Sequence, residues 1–385
     1  MSEDQHLLAE SVERFLSNEY AFEKRARAIC DGGYSQASWQ KFADLGWLAI
    51  ALPESAGGLG GDPVDVMNIM RQMGRYLVIE PFLSTVVLGA RLIHEGLPGD
   101  PSALLAPIVA GKLHVAVATQ EAEFGANTLK TVATRTASGY CLSGFKPVVI
   151  NAAIAQKLVI PARIAGEGRD APPALFLLDR AMAGVAITPF LTHDGRNAGA
   201  ITLDKVMVQQ SDRLTGGGPD LFGRAMAHGA AAQCADSVGA AERLFETTSE
   251  YLKERSQFGR RLAEFQVVQH ALVDMYVALE LGRSMAFVAA RLVADWRKDH
   301  NGGLAAACYK VDRASQAIAN AAVQLHGGMG VSEDHHVAHY FKRIMVNTAM
   351  LGDSSYWLKR YLDATELCPA EQGNAAEPPR SAASG

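Results

Sequence analysis

Apolar positions recur at helical spacing through the first hundred or so residues. Leu7, Leu8, Val12 and Leu16 fall on one face, and Trp39, Phe42, Leu45 and Leu48 repeat the pattern in the next segment. Pro53 to Pro63 reads as a Gly-rich loop, because its glycines lack the GxGxxG order of a dinucleotide fingerprint and follow no strand. Helical periodicity resumes from about Val64 to His94. From His114 to about Gln210 the pattern becomes short runs rich in β-branched residues, bounded by Gly, Asn, Asp or Pro. Such runs at roughly ten-residue spacing predict an antiparallel β domain, a sandwich or barrel. Gly216 to Pro219 breaks the pattern, and long Ala-rich helical stretches fill Asp220 to about Glu366. Two of them, 267–299 and 305–326, predict long helices, the second ending at a glycine pair suited to a C-terminal cap. The expected fold is mostly α with a central antiparallel β domain. It comprises a helical unit at 1–112, a β unit at 113–213, a helical bundle at 214–367 and a polar, Pro-containing tail at 368–385.

Composition narrows the function classes. With 385 residues, 49% hydrophobic and 20% charged, the chain can bury more than one core. A net charge of -5 argues against a nucleic-acid partner, which needs a clustered basic face. No apolar run approaches the roughly 20 residues that span a bilayer. The five cysteines are scattered and without CxxC spacing, as expected of a reducing, cytoplasmic setting with no zinc site.

Two segments carry candidate chemistry. In the first, Arg255-Ser256-Gln257-Phe258-Gly259-Arg260-Arg261, three guanidiniums in one turn create a local positive potential suited to phosphate. Phe258 and Phe265 offer faces to a flat ring, and Gly259 permits a tight turn. In the second, Gln324-Leu325-His326-Gly327-Gly328, the glycines allow close backbone approach to a ligand and Gln324 can both donate and accept.

The order of these motifs, with Gln266 between them and a β domain before them, resembles the acyl-CoA dehydrogenase family over residues 1 to about 365. The segment DLGWLAIALPESAGGLGGDP is similar to that family's N-terminal domain. The resemblance implies a C-terminal four-helix bundle, FAD, a CoA-thioester substrate, α,β-dehydrogenation and an electron-transfer flavoprotein as acceptor. It further implies that FAD lies between two subunits. The positions matching Arg255, Gln257, Phe258, Gln266, Gln324, Leu325, His326, Gly327 and Gly328 would grip the adenosine and pyrophosphate end of a neighbour's FAD.

The reaction needs a carboxylate base at Cα. The resemblance places that base at Leu351, with Gly352 setting the register, or in some members at Gly229; neither residue can accept a proton. His228 and Asp353 are the nearest substitutes, and Asp353 also suits an N-cap before Tyr356-Trp357-Leu358. The family's Thr-Glu-Pro…Gly-Ser-Asp loop is replaced by Thr119 to Asn127. Its Trp-Ile-Thr is replaced by Val148-Val149-Ile150, where Ile150 has no hydroxyl to offer the flavin. Set against the pattern the resemblance implies, the flavin-ring half of the site is expected to be degraded and the adenosine half intact. The expectation is therefore an FAD-sharing, non-catalytic subunit of a heteromeric enzyme. It resembles the small subunit of pimeloyl-CoA-type dehydrogenases, paired with a base-bearing chain as α2β2 in lipid or steroid degradation. Two alternatives stay open: a homomeric enzyme using Asp353 or His228, and a flavin-free scaffold subunit. His335 and His339 are spaced as metal ligands could be, without a third; Thr192 to Arg196 reads as a structural turn.

Overall fold

The computed structural model describes residues 2–121, 129–168, 171–295 and 300–365. The tail at 368–385, and most of the replaced loop after Glu121, lie outside the described residues.

The N-terminal part is built from α1 (Glu3–Glu19), α2 (Phe22–Cys30), α3 (Gln36–Asp44) and α4 (Pro63–Arg75). Val12, Leu16, Trp39, Phe42 and Leu48 meet in one core, as their periodicity predicts. Leu7 and Leu45 face outward instead, at the edges of stripes too narrow to bury every apolar position. The helix expected from Val64 to His94 is broken. α4 ends at Arg75, and the chain turns at Leu77 (φ +54°) and Pro81. It resumes as a π-helical segment, Phe82–Ala90, which runs into α5 (Arg91–Gly96) and is followed by α6 (Ser102–Val109). Proline fixes φ and supplies no N–H, so an uninterrupted helix through Pro81 is disfavoured.

The central sheet comprises β1 (Val115–Val117), β2 (Val132–Thr136), β3 (Gly139–Ile150), β4 (Lys157–Ile164), β5 (Ala174–Asp179), β6 (Val185–Leu191), β7 (Asn197–Gln209) and β8 (Arg213–Leu214). Their order is β6-β7-β3-β2-β4-β5-β8, with β1 also paired to β4. All pairings are antiparallel except β1–β4 and β2–β4. Both involve β4, which takes β1 along its first half and the start of β2 at its end.

α7 (Leu221–Glu254), α8 (Gln266–Ala294), α9 (His300–His326), α10 (His336–Met350) and α11 (Ser354–Ala364) form the C-terminal bundle. A two-stranded hairpin, β9 (Ser256–Gln257) and β10 (Arg260–Arg261), joins α7 to α8. α4 crosses α7 at near backbone contact: a Cβ on Gly74 would sit 1.9 Å from the Asp236 carbonyl oxygen, and one on Gly239 1.8 Å from that of Arg71. Only glycine fits either position, and the crossing presses Asp236 toward the N-terminal helices. Nearby, Glu242, 1% exposed, is held by Arg71 at 2.7 Å and Arg283 at 2.5 Å, tying α7 to α4 and α8.

Candidate functional site

One end of the bundle gathers the phosphate-type motifs. The hairpin tip is a two-residue turn with both central residues left-handed, Phe258 at φ +55° and Gly259 at φ +80°. That twist matches antiparallel strands, but a non-glycine residue there costs about 1–2 kcal/mol. The Phe258 ring is 88% exposed. A strained backbone presenting an apolar ring to solvent points to a surface that is covered in use. Arg255, Gln257, Arg260 and Arg261 are exposed on the same hairpin, and Arg260 sits 3.9 Å over the Phe265 ring. Gln266 opens α8 directly below it.

The second motif meets the root of the first. His326 ends α9 and stacks on Tyr251 of the last turn of α7, ring centroids 4.3 Å apart. Its Nδ1 contacts the Ala322 carbonyl oxygen, while Nε2 is buried and unpartnered among the described residues. Gln324, Gly327 and Gly328 are exposed and Leu325 is half-buried. No atom lies within 4 Å of a Cβ added to Gly327 or Gly328, leaving their backbone open to a ligand. This end suits a dinucleotide's phosphate and adenine half: cations, an open glycine turn and an exposed aromatic ring.

At the opposite base-bearing positions the chemistry is apolar. A Cβ on Gly229 would lie 3.3 Å from Leu351 Cδ1 and 2.7 Å from Leu88 Cδ2, the latter on the π-helical segment. The two positions therefore face each other although they are far apart in sequence, and Leu351 is 2% exposed. His228 beside them is no replacement. Burial, with Arg91 and Arg224 close by, pushes its imidazole down to about 3, far too low for a base working near neutrality. Asp353 is exposed and caps α11, its Oδ1 accepting the Tyr356 N–H at 2.7 Å. Asp353→Ala is expected to cost about 1 kcal/mol of stability, as a lost cap does, and to leave flavin reduction unchanged. Urea unfolding and a stopped-flow reduction assay separate the two effects.

Between the three parts lies a cavity of about 50 Å³, lined among others by Glu80, Thr119, Ile150, Asn151, Arg343 and Leu351. A second, outer pocket lined by Phe222, Met226, Tyr356 and Trp357 shares Thr119 and Leu351 with it. Around the cavity runs a buried ionic network. Arg343 donates to Asp194 at 2.9 Å and lies 3.6 Å from Asp236; Arg196 lies 2.7 Å from Asp194 and donates to Asn347, which donates to Asp236 at 2.7 Å. Arg25 donates to the carbonyl oxygens of Leu77 and Asp194. Thr192 to Arg196 is thus the turn expected, and it also supplies two of the network's charges.

Sequence reasoning missed Glu80, which is 6% exposed with Oε2 accepting the Tyr20 hydroxyl at 2.7 Å. Burial pushes its carboxyl up to about 7 despite Tyr20 and Arg343. The signal was a lone acid amid apolar residues in Tyr76-Leu77-Val78-Ile79-Glu80-Pro81-Phe82. The histidines at 335 and 339 do not converge. His335 caps α10, His339 contacts the Glu333 carbonyl oxygen, and the described residues contain no group of three or more His, Cys, Asp or Glu able to hold a metal. No helix among them is long and apolar enough to cross a membrane.

Helices, a mostly antiparallel β unit and a helical bundle around one interdomain cavity define a class of flavoprotein dehydrogenases. The chain belongs to the acyl-CoA dehydrogenase family: the model of the family's N-terminal domain matches residues 2–112 and that of its C-terminal domain residues 216–361. It is similar to acyl-CoA dehydrogenase FadE27 of Mycobacterium tuberculosis, at 29% identity over 85% of this chain and 87% of that one. It is also similar to the caffeyl-CoA reductase-Etf complex subunit CarC of Acetobacterium woodii, at 28% identity over 89% and 94%. Among solved structures, the ChsE4-ChsE5 complex from Mycobacterium tuberculosis superposes with a TM-score of 0.85 at 26% identity, covering 96% of this chain and 99% of that one.

Proposed function

We propose that this chain is the FAD-sharing subunit of a heteromeric acyl-CoA dehydrogenase, contributing the adenosine and pyrophosphate half of a flavin site whose reactive half is the partner's. The observation that carries the reading is the closed apolar contact of Gly229, Leu351 and Leu88, where a base would stand, in a chain whose cationic hairpin is intact. Ile150, on the wall of the inner cavity, also offers no hydroxyl to a flavin ring, whereas the open Gly327-Gly328 turn and the arginine hairpin fit the other end of FAD. Bound there, FAD would supply hydride acceptance from Cβ. Arg255 and Arg261 would neutralise its pyrophosphate, Phe258 would cover its adenine, and Gln324 would orient it.

α8 supports assembly. Val273, Tyr276, Val277, Leu281, Phe287 and Val288 form an exposed stripe at helical spacing, the kind of apolar face that marks a protein interface. A similar solved structure is a ChsE4-ChsE5 complex, and a relative is named as part of a complex with Etf, which supports a second family chain and a flavoprotein electron acceptor here.

The chain purified alone is expected to hold little FAD and to reduce none with acyl-CoAs of varied length. Co-purified with a base-bearing family member, it is expected to give one FAD per heterodimer and turnover. Robust turnover by the isolated chain would overturn the reading, and a flavin-free but intact complex would favour a scaffold role.

A further inference from the structure

Two polar side chains on the cavity wall each carry one atom without a partner among the described residues. Asn151 is 2% exposed and held in the left-handed region at φ +63°. Its Oδ1 accepts the Ser84 hydroxyl at 2.8 Å, which leaves Nδ2 toward nothing among the described residues. Glu80 has Oε2 occupied by Tyr20, and its Oε1 is equally unpartnered. A buried donor or acceptor left unsatisfied costs about 1–3 kcal/mol, so one of each on one small cavity calls for an explanation. A cavity of about 50 Å³ admits a small polar group, since one water needs roughly 10–15 Å³ of such space.

The charge around the cavity selects the group. Arg25, Arg196 and Arg343 face Asp194 and Asp236, a surplus of one positive charge that only ionised Glu80 balances. An anion entering the cavity can take over that balance if Glu80 accepts a proton. Because Tyr20 donates to Oε2, the proton goes to Oε1, which then donates alongside Asn151 Nδ2. Two donors and a charge vacancy match a carboxylate. The remaining lining, including Met70, Met73 and Phe82, suits the short alkyl stem behind it.

We propose that this cavity is a carboxylate-binding site, in which Asn151 Nδ2 and protonated Glu80 hold the carboxylate of a short aliphatic chain. The stem can be a free small acid or the far end of a CoA thioester entering by the outer pocket past Leu351. The site lies within this chain and does not depend on which subunit supplies the base. Carboxylate binding is coupled to proton uptake. Glu80 titrates near 7 in a setting faced by Tyr20 of the α1 end, Arg25 of α2, Tyr34 before α3, Asp194 and Arg196 of the β6–β7 turn, Asp236 of α7 and Arg343 of α10.

Calorimetric titration of the full chain at pH 8, in two buffers of different ionisation enthalpy, tests this with butyrate, butyramide, glutaryl-CoA and butyryl-CoA. Butyrate is expected to bind at least tenfold more tightly than butyramide, with uptake of close to one proton. Glu80→Gln keeps a donor and is expected to bind without proton uptake. Asn151→Asp keeps a residue tolerant of the left-handed backbone but puts a negative charge in the site, and is expected to lose at least tenfold. Glutaryl-CoA exceeding both butyrate and butyryl-CoA identifies the thioester source, and butyrate alone binding identifies a free acid. The absence of heat with butyrate and glutaryl-CoA alike, or an affinity unchanged by Asn151→Asp, overturns the proposal. Proton uptake that persists in Glu80→Gln overturns the role of Glu80.

Discussion

Replacing Arg255 by Gln in the assembled enzyme is expected to weaken FAD binding roughly ten- to hundredfold, the equivalent of the about 1.5–3 kcal/mol of one charge-assisted hydrogen bond. The stability of the chain is expected to stay within about 0.5 kcal/mol, as for exposed positions generally. Arg255 is exposed, and its side chain makes no ion pair or hydrogen bond among the described residues, so nothing in the fold depends on its charge. Its backbone does carry the hairpin: the Arg255 N–H reaches the Tyr251 carbonyl oxygen at 2.9 Å, and the Leu262 N–H reaches that of Arg255 at 2.8 Å. Both bonds survive the substitution. Arg255→Lys would recover part of the loss, because a point charge replaces the planar fork. Flavin retained after dialysis, measured by absorbance, reads the effect. If Arg255→Gln left FAD occupancy untouched while Arg255→Glu did the same, the hairpin would not grip phosphate.

The sequence pattern made the architecture legible where one face of an element decides everything. β-branched runs between turn residues mark β3, β4 and β7, and unbroken Ala-rich periodicity marks α7 to α9. The break at Leu77 to Pro81 was harder, since Leu77, Val78, Ile79 and Phe82 keep the apolar rhythm through it. At the site, the resemblance located Leu351 and Gly229 as missing bases, but only the fold sets them face to face with Leu88. The ionic network was invisible for a plainer reason. Arg343 meets Asp194 across 149 residues and the Val78 carbonyl oxygen across 265, and no local periodicity marks a charge that will be buried by tertiary packing. The β6–β7 turn looked structural from its Asp-Gly-Arg composition alone. Its charges matter because α10 and α2 bring two more arginines to it.

Arg343→Met is accordingly expected to be the most damaging single change, at about 3–5 kcal/mol, as when one partner of a buried ion pair is removed. Arg343 is 1% exposed and joins all three parts of the chain: Val78 from the N-terminal helices, Asp194 from the β unit and Asp236 from α7. Methionine fills much of the volume, so the loss reports charge more than cavity. Burial alone would push the Asp194 carboxyl up; Arg196 and Arg343 outweigh it and hold it below the usual range. Losing Arg343 leaves Arg25 and Arg196 against Asp194 and Asp236, which balance only when Glu80 carries its proton. Glu80 is therefore expected to titrate above its present value near 7 in the variant, since Arg343 is one of the groups holding it down. Its folded pKa exceeds the unfolded value of about 4.3, so the native state binds more protons than the unfolded chain and stability falls as pH rises until the folded pKa is passed. With that pKa raised further, the fall extends to higher pH. The penalty of Arg343→Met is then smaller at pH 6 than at pH 8.5, and adding Glu80→Gln to both backgrounds abolishes the difference. Urea midpoints at the two pH values measure it, and a penalty independent of pH would mean that Glu80 is not electrostatically coupled to the network.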